Sequence, residues 1–312
     1  MPVVRFPGRH ALLVYLLLPS FDALCAAQEP AARSPTSEER PAEPATPHRT
    51  GRFRAVLAER SPESDLSVLA GRFTLSASQI EAADPERGRY DLGGESFEVY
   101  VSDRYRPAEP TALLVWVSPT PRGGVWSAEV KQVLAERGVI WVGANRSGNE
   151  RSKWVRMGLA LDAAHNLTRL YNVDPERVYV GGYSGGGRTA SALALLFPER
   201  FRGGLCVMGV DYYRRVPMPD RPGAYWPPVF PAPPREALRR VRDLGRYVLV
   251  TGEKDFNRAQ TRAYFAGFQM DGFAGVTYLE IPGATHFEGF DGEWFARALD
   301  ALDPRPAPPS PG

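Results

Sequence analysis

Residues 177–188 read Arg-Val-Tyr-Val-Gly-Gly-Tyr-Ser-Gly-Gly-Gly-Arg, and this run permits few folds. Val178, Tyr179 and Val180 alternate β-branched and aromatic side chains, the pattern of a short strand. A turn follows through Gly181 to Gly187. Residues 189–197 are then rich in helix formers and stop at Pro198. Strand, tight turn and helix form the context in which Gly-x-Ser-x-Gly becomes a nucleophile elbow, and Gly182-Tyr-Ser-Gly-Gly186 fits it. A serine held on such a turn brings its neighbours against backbone, where a Cβ at Gly182 or Gly186 would clash. The helix behind it aims free N–H groups and its positive dipole end at the serine. The other reading is a glycine-rich turn that cradles a phosphate. It lacks both a lysine after the glycines and the Gly-x-Gly-x-x-Gly spacing.

The two ends read differently. Arg5, Arg9 and His10 precede the apolar residues 11–18, and Cys25, Ala26 and Ala27 precede Gln28. A basic start, a short apolar stretch and small residues at a cleavage site make residues 1–27 a signal peptide. The apolar stretch is far short of the about 20 residues a membrane-spanning helix needs, so no stable membrane span is expected. Lipid anchoring at Cys25 is the weaker reading, because Leu24 is bulky where a small residue is expected. Residues 28–50 are rich in Pro, Ala, Ser, Thr and Glu and read as a disordered tether, with 304–312 a tail of similar composition. Cleavage leaves Cys206 alone, in an apolar strand and without a disulfide partner. The expected location is secreted or periplasmic.

Between these ends, 312 residues allow a large core. With 38 Lys and Arg against 36 Asp and Glu, the net charge is +2 and no basic run invites nucleic acid. Residues 51–87 read as an extension packed on the core, with short helices near 62–70 and 76–83. From 88 to 303 the elements alternate. Strands are expected at 96–101, 112–117, 139–142, 178–180, 205–210, 247–250 and 276–281. Helices are expected at 127–137, 155–171, 189–197, 235–243, 258–270 and 292–302, with a break at Asp174-Pro175. Such alternation predicts an α/β protein, a mostly parallel central sheet with helices on both faces.

Residues 174–187, the turn Thr251-Gly-Glu-Lys-Asp255 and the run Pro282-Gly-Ala-Thr-His286 together resemble the α/β-hydrolase fold. Within it they resemble the exported serine esterases of the polyhydroxyalkanoate-depolymerase and feruloyl-esterase type. The likeness covers about residues 90–302. In that fold the chain order is serine, acid, histidine.

A serine hydroxyl needs a base within hydrogen-bond reach. Of four histidines, His10 and His48 fall in the leader and tether, and His165 inside a helix. His286, in a loop after the last strand, stands where the fold places its base. The acid that orients this histidine is expected at Asp255, with Asp211 its rival and Glu253 third. The alternative role for Asp255 is a helix cap. One oxyanion donor is expected from the backbone of Gly185. The second is expected from the loop after Val117, where many relatives carry His-Gly and this chain has Ser118-Pro-Thr-Pro-Arg-Gly-Gly124. Prolines have no N–H, which leaves Ser118 or Thr120.

Residues 212–234 form a loop stiff with prolines and rich in aromatics. Such a loop at the carboxyl edge of a sheet either lines a cleft or packs on the surface. Tyr183, Asn145, Arg146, Tyr212 and Trp226 are the substrate-contact candidates, and Arg146 and Arg214 either hold an acidic substrate or are solvated. The leading expectation is a secreted serine hydrolase of carboxylic esters, small or polymeric, with neither metal nor organic cofactor. A serine peptidase and a non-catalytic binding protein on the same fold are the alternatives. Oligomeric state is not readable from these residues.

If residues 1–27 are a signal peptide, N-terminal sequencing of exported protein will find a chain that begins at or near Gln28. An intact Met1, or a lipid on Cys25, would sink this reading.

Overall fold

The computed structural model describes residues 42–304. The expected signal peptide, the tether up to residue 41 and the tail from 305 lie outside the described residues.

A nine-stranded sheet carries the molecule. In chain order its strands are β1 (Glu43–Pro44), β2 (Gly51–Val56), β3 (Phe97–Val101), β4 (Thr111–Val117), β5 (Val139–Ala144), β6 (Val173–Tyr183), β7 (Gly203–Val207), β10 (Arg246–Gly252) and β11 (Gly275–Ile281). β8 (Val216–Pro217) and β9 (Tyr225–Trp226) pair separately as an antiparallel ribbon. The spatial order is β1-β2-β3-β5-β4-β6-β7-β10-β11. β3 is antiparallel to both neighbours, and every other pairing in the sheet is parallel. β4, β5 and β7 are buried along their whole lengths. That is why they read as unbroken apolar runs rather than as alternating strands.

The helices are α1 (Leu66–Arg72), α2 (Ala77–Ala83), α3 (Ala128–Arg137), α4 (Lys153–Leu170), α5 (Gly185–Leu196), α6 (Arg235–Leu244), α7 (Arg258–Met270) and α8 (Gly292–Leu302). One face of the sheet packs α3 and α8 through Val130, Leu134, Phe295 and Leu299. The other packs α4 and α5 through Leu159, Leu161, Leu193 and Leu195. Helix starts follow their caps: Ser127 Oγ accepts from Val130 N, and Asp291 accepts from Trp294 N. No described helix is long and apolar enough to cross a membrane.

Four local expectations need correction. Residues 42–50, expected as part of the tether, are structured. β1 pairs with β2, Arg49 forms an ion pair with Glu43 at 2.8 Å, and the His48 ring stacks on Tyr105. Residues 51–56 are a strand of the sheet rather than an appended piece: Phe53 and Ala55 are buried while Arg54 reaches Glu98 on β3. Asp174-Pro175 does not break β6, since the register shift opposite Thr111 and Leu113 absorbs them as a bulge. β7 stops at Val207, not 210, because Met208 turns to φ +53.

The helix after the elbow also begins earlier than its composition predicts, at Gly185 rather than Thr189. Packing overrides the poor helix propensity of three glycines. A Cβ on Gly186 would stand 1.9 Å from the Val117 carbonyl oxygen, and one on Gly187 2.3 Å from that of Gly209. Close approach of α5 to the ends of β4 and β7 fixes where the serine projects.

Gly186→Ala must therefore move backbone, and we expect it to cost at least about 3 kcal/mol, lowering Tm by roughly 5–10 °C. Gly71→Ala on α1, where a Cβ meets nothing within 4 Å, is the control and should hold or raise Tm. Thermal melts of the two variants decide; an unchanged Tm for Gly186→Ala would refute the packing argument.

Candidate active site

The carboxyl edge of the sheet gathers the site. Ser184 joins β6 to α5 with φ +52° and ψ −121°, a conformation that costs a non-glycine residue about 1–3 kcal/mol. Its N–H donates to Val207 O at 2.8 Å, and its carbonyl accepts from Arg188 N at 3.1 Å. Gly209 closes the turn from the other side, where a Cβ would meet Ser184 O at 2.3 Å. These contacts leave the hydroxyl as the group that projects, 9 % of the residue remaining exposed.

His286 follows β11 and Asp255 follows β10. Ser184 Oγ lies 2.9 Å from His286 Nε2, and His286 Nδ1 lies 2.8 Å from Asp255 Oδ1. A carboxylate only accepts, so Nδ1 is the donor, and Nε2 of a neutral ring is left to accept the serine hydroxyl proton. Asp255 is held in turn: Oδ2 accepts from Thr251 Oγ1 at 2.8 Å and Oδ1 from Asn257 N at 2.9 Å. The side chains of His286 and Asp255 are 2 % and 0 % exposed. Below the histidine, Tyr183 donates its hydroxyl to the His286 carbonyl. Burial pushes the Tyr183 phenol up, and the Asp255 charge adds to it, so the hydroxyl stays a donor.

The rival acids are engaged elsewhere. Asp211 accepts from Arg188 Nη1 at 2.7 Å and takes Ser191 Oγ on its own N–H. Glu253 is exposed and accepts from Gly283 N at 2.7 Å, tying the loops after β10 and β11 together. Asp255 is not the helix cap: α7 is N-capped at Asn257 without a side-chain cap bond, and Asp255 Oδ1 only accepts the Asn257 N–H ahead of the helix.

Several substrate-contact candidates turn out to be structural. Asn145 is buried, with Oδ1 accepting from Gly123 N and Nδ2 donating to Ser96 Oγ. Arg146 is exposed but bonded to Gly94 O and Glu95. Tyr212 is fully buried and donates to Asp271 Oδ2 at 2.7 Å; Tyr213 and Arg214 bind the same carboxylate. Tyr212 and Tyr213 are thus pegs that anchor the start of the proline-rich loop to the end of α7. Trp226 is half-buried on the β8–β9 ribbon and packs edge-on against Tyr264.

On the other flank, the loop after β4 is laced to the loop after β5. Pro119 O accepts from Asn149 N at 2.9 Å, Pro121 O from Arg146 N at 2.7 Å, and buried Arg156 spans Ser147 O and Ser118 O at 3.1 Å each. Ser118 Oγ takes the Thr120 N–H at 3.1 Å. Thr120 therefore has no backbone donor to offer, while Gly185 opens α5 with its N–H at the helix start.

Sequence reading missed Phe256 and Phe287. The Phe256 ring stacks on the His286 imidazole with centroids 4.1 Å apart, and Phe287 meets it edge-on at 4.9 Å. Both are exposed, at 61 % and 47 %. The signal available was adjacency, since each directly follows a candidate site residue. Lys153, at the start of α4, sits over the Phe73 and Trp154 rings, and burial lowers its pKa against the opposing pull of Asp211 and Asp84. Among the described residues no group of three or more His, Cys, Asp or Glu side chains is placed to hold a metal. A hollow of about 150 Å³ lies at the opposite edge, by Thr111 and Val139, where Arg137 and Arg177 are already paired with Asp300 and Asp303.

No family model and no curated protein sequence matches the chain. Solved structures do. The feruloyl esterase module from Clostridium thermocellum, solved with sinapinate, aligns with TM-score 0.51 and 15 % identity over 67 % of this chain and 83 % of its own. An esterase from Pyrobaculum calidifontis aligns with TM-score 0.47 and 18 % identity over 67 % of this chain and 81 % of that one. The Pyrococcus horikoshii acylaminoacyl peptidase aligns with TM-score 0.47 and 17 % identity over 66 % of this chain but only 38 % of its own longer chain. At such identities the likeness speaks for architecture alone. The sheet order, the strand directions and the first of these alignments give this chain the α/β-hydrolase fold.

Proposed function

We propose that this protein is an exported serine hydrolase that cleaves carboxylic esters through an acyl-enzyme. The observation that carries the reading is the unbroken hydrogen-bonded run from Ser184 through His286 to Asp255, set on a strained and buried turn. In the proposed reaction Ser184 Oγ forms a bond to the ester carbonyl carbon, and the carbonyl π electrons move to oxygen. The hydroxyl proton passes to His286 Nε2. Asp255 fixes the ring by its bond to Nδ1–H and stabilises the imidazolium. The Gly185 N–H, at the positive end of α5, faces the oxyanion. Collapse breaks the carbon–oxygen bond of the leaving alcohol, which takes the proton from Nε2. Water repeats the sequence and frees the acid. All protons are returned and no cofactor takes part.

The ester reading over the peptide reading rests on the surroundings of His286. A leaving group takes its proton at Nε2, and the ring beside it is flanked by exposed Phe256 and Phe287. An apolar or aryl alcohol suits such a frame. The protein should therefore hydrolyse unactivated alkyl and aryl esters and leave matched peptide amides uncleaved, and a panel of both classes at several acyl lengths tests this. Turnover of the peptide amides would move the assignment to a peptidase.

The roles separate by mutation. Ser184→Ala should abolish both ester hydrolysis and labelling by a fluorophosphonate, with the fold intact by circular dichroism. Asp255→Asn should lower kcat by about 10⁴, since the amide would hold the wrong histidine tautomer. Asp211→Asn, at the Arg188 pair, should stay within about tenfold of wild type. A dead Asp211→Asn beside a healthy Asp255→Asn would move the acid to Asp211.

A further inference from the structure

Asn149 lies in the loop after β5, and its side chain rests directly against Gly185. A Cβ built on Gly185 would fall 2.2 Å from Asn149 Oδ1, 2.9 Å from Cγ and 3.2 Å from Nδ2. The carboxamide therefore fills the space that the side chain of the residue after Ser184 would otherwise take. Its main chain is fixed, because Asn149 N donates to Pro119 O at 2.9 Å. Its side chain is uncommitted: Oδ1 is buried and meets no donor among the described residues. A buried polar atom without a partner is rare in a native structure and asks for a reason.

The neighbouring loop supplies one. An acyl transfer needs two or more donors around the developing oxyanion. Within residues 118–121 two positions are prolines and the Thr120 N–H is taken by Ser118 Oγ, which leaves at most the Ser118 N–H as a main-chain donor. The loop that ordinarily completes such a site is thus poor in donors, and an amide stands beside the one donor expected with most force, Gly185 N–H. The two ends of an asparagine amide exchange by rotation about Cβ–Cγ, and the orientation that puts Nδ2 in the place of Oδ1 brings its N–H bonds beside Gly185.

We propose that the Asn149 carboxamide is a catalytic oxyanion donor, acting beside the Gly185 N–H on the carbonyl oxygen of the acyl group. This rests on the Ser184 reading above. In the tetrahedral intermediate, Nδ2–H donates to the oxygen that carries the negative charge; with substrate absent the same amide has nothing to bind. Gly185 must then be glycine to let the amide in, not only to make the turn.

The test uses the purified protein with its best ester and a trifluoromethyl ketone of the same acyl chain, which forms a hemiketal oxyanion on the serine. Asn149→Ala should lower kcat by about 10²- to 10³-fold with KM little changed. The Ki of the ketone should rise by the same factor as kcat/KM falls, while the Ki of the product acid stays put. Asn149→Asp keeps the volume, removes the N–H bonds and adds a charge that repels the oxyanion, so it should lower kcat at least as far as Asn149→Ala, which guards against a variant that only loosens the loop. A matched Tm for each excludes unfolding. If both variants keep kcat within about threefold, or if ketone affinity does not follow kcat/KM, the amide is a packing group and the proposal fails. Ser184→Ala run in parallel separates the two ideas. Residual hydrolysis there overturns the serine reading itself, whereas a dead Ser184→Ala beside a healthy Asn149→Asp overturns only the role of Asn149.

Discussion

The left-handed backbone of Ser184 is the constraint on which the site depends. It is held by hydrogen bonds at both of its main-chain polar groups and by three glycines that admit backbone where side chains cannot go. Strain of about 1–3 kcal/mol persists because α5 behind it is buried almost throughout, from Gly185 to Leu196. Fully burying one leucine is worth about 1.5–3 kcal/mol, and Leu193, Leu195 and Leu196 are each at most 1 % exposed. The conformation is therefore over-determined by packing. Arg146 after β5 and Met208 after β7 also adopt positive φ. Three non-glycine outliers thus fall at the same carboxyl edge, where chain reversal and display of polar groups compete with relaxed geometry.

Side-chain satisfaction then sorts the acids. Asp255 and His286 are both buried, and a buried carboxylate is tolerable only when its oxygens are occupied. Thr251 and Asn257 do that work, which leaves the histidine ring one orientation. Asp211 is instead matched by Arg188, one helical turn beyond the serine, and Arg188 is further held by Asn257 and Gln260. Asn257 thereby belongs to both arrangements: its N–H holds Asp255 and its side chain meets Arg188 and Met208 O. The two carboxylates stand in one polar floor yet face different partners, the His286 ring and the Arg188 guanidinium.

Much of this was legible from the chain. Apolar runs gave the central strands. The order of serine, acid and histidine came from the resemblance to the α/β-hydrolase fold, with Asp255 and His286 each placed just after a strand. What escaped depended on partners far along the chain. β2 reads Gly-Arg-Phe-Arg-Ala-Val, and only Glu98 on β3, 44 residues from Arg54, makes two arginines acceptable in a strand. Tyr212 looked like a cleft residue because aromatics and prolines surround it, but Asp271 lies 59 residues on and draws the hydroxyl inward. Asn145 looked polar and available, yet Gly123 N in the loop after β4 and Ser96 Oγ just before β3 consume the two ends of its amide. Local pattern reports what a segment can do; burial decides which polar ends remain for a ligand.

The same logic bears on rigidity. Gly123 and Gly143 touch so closely that a Cβ on either would meet the other's carbonyl oxygen at 2.1–2.2 Å, and Trp141 Nε1 donates to Gly123 O at 2.9 Å. With Pro119, Pro121 and the Arg156 crosslinks, the loop after β4 is folded down onto β5. Its prolines remove backbone donors, and the same prolines and crosslinks remove freedom. An oxyanion site works by having dipoles in place before charge develops. A floppy loop with many N–H groups must reorganise at the moment of reaction, whereas a stiff one with few need not. In this chain the stiff loop also fixes Asn149 through Pro119 O, so the lost backbone donors and the unengaged amide beside Gly185 follow from one piece of structure.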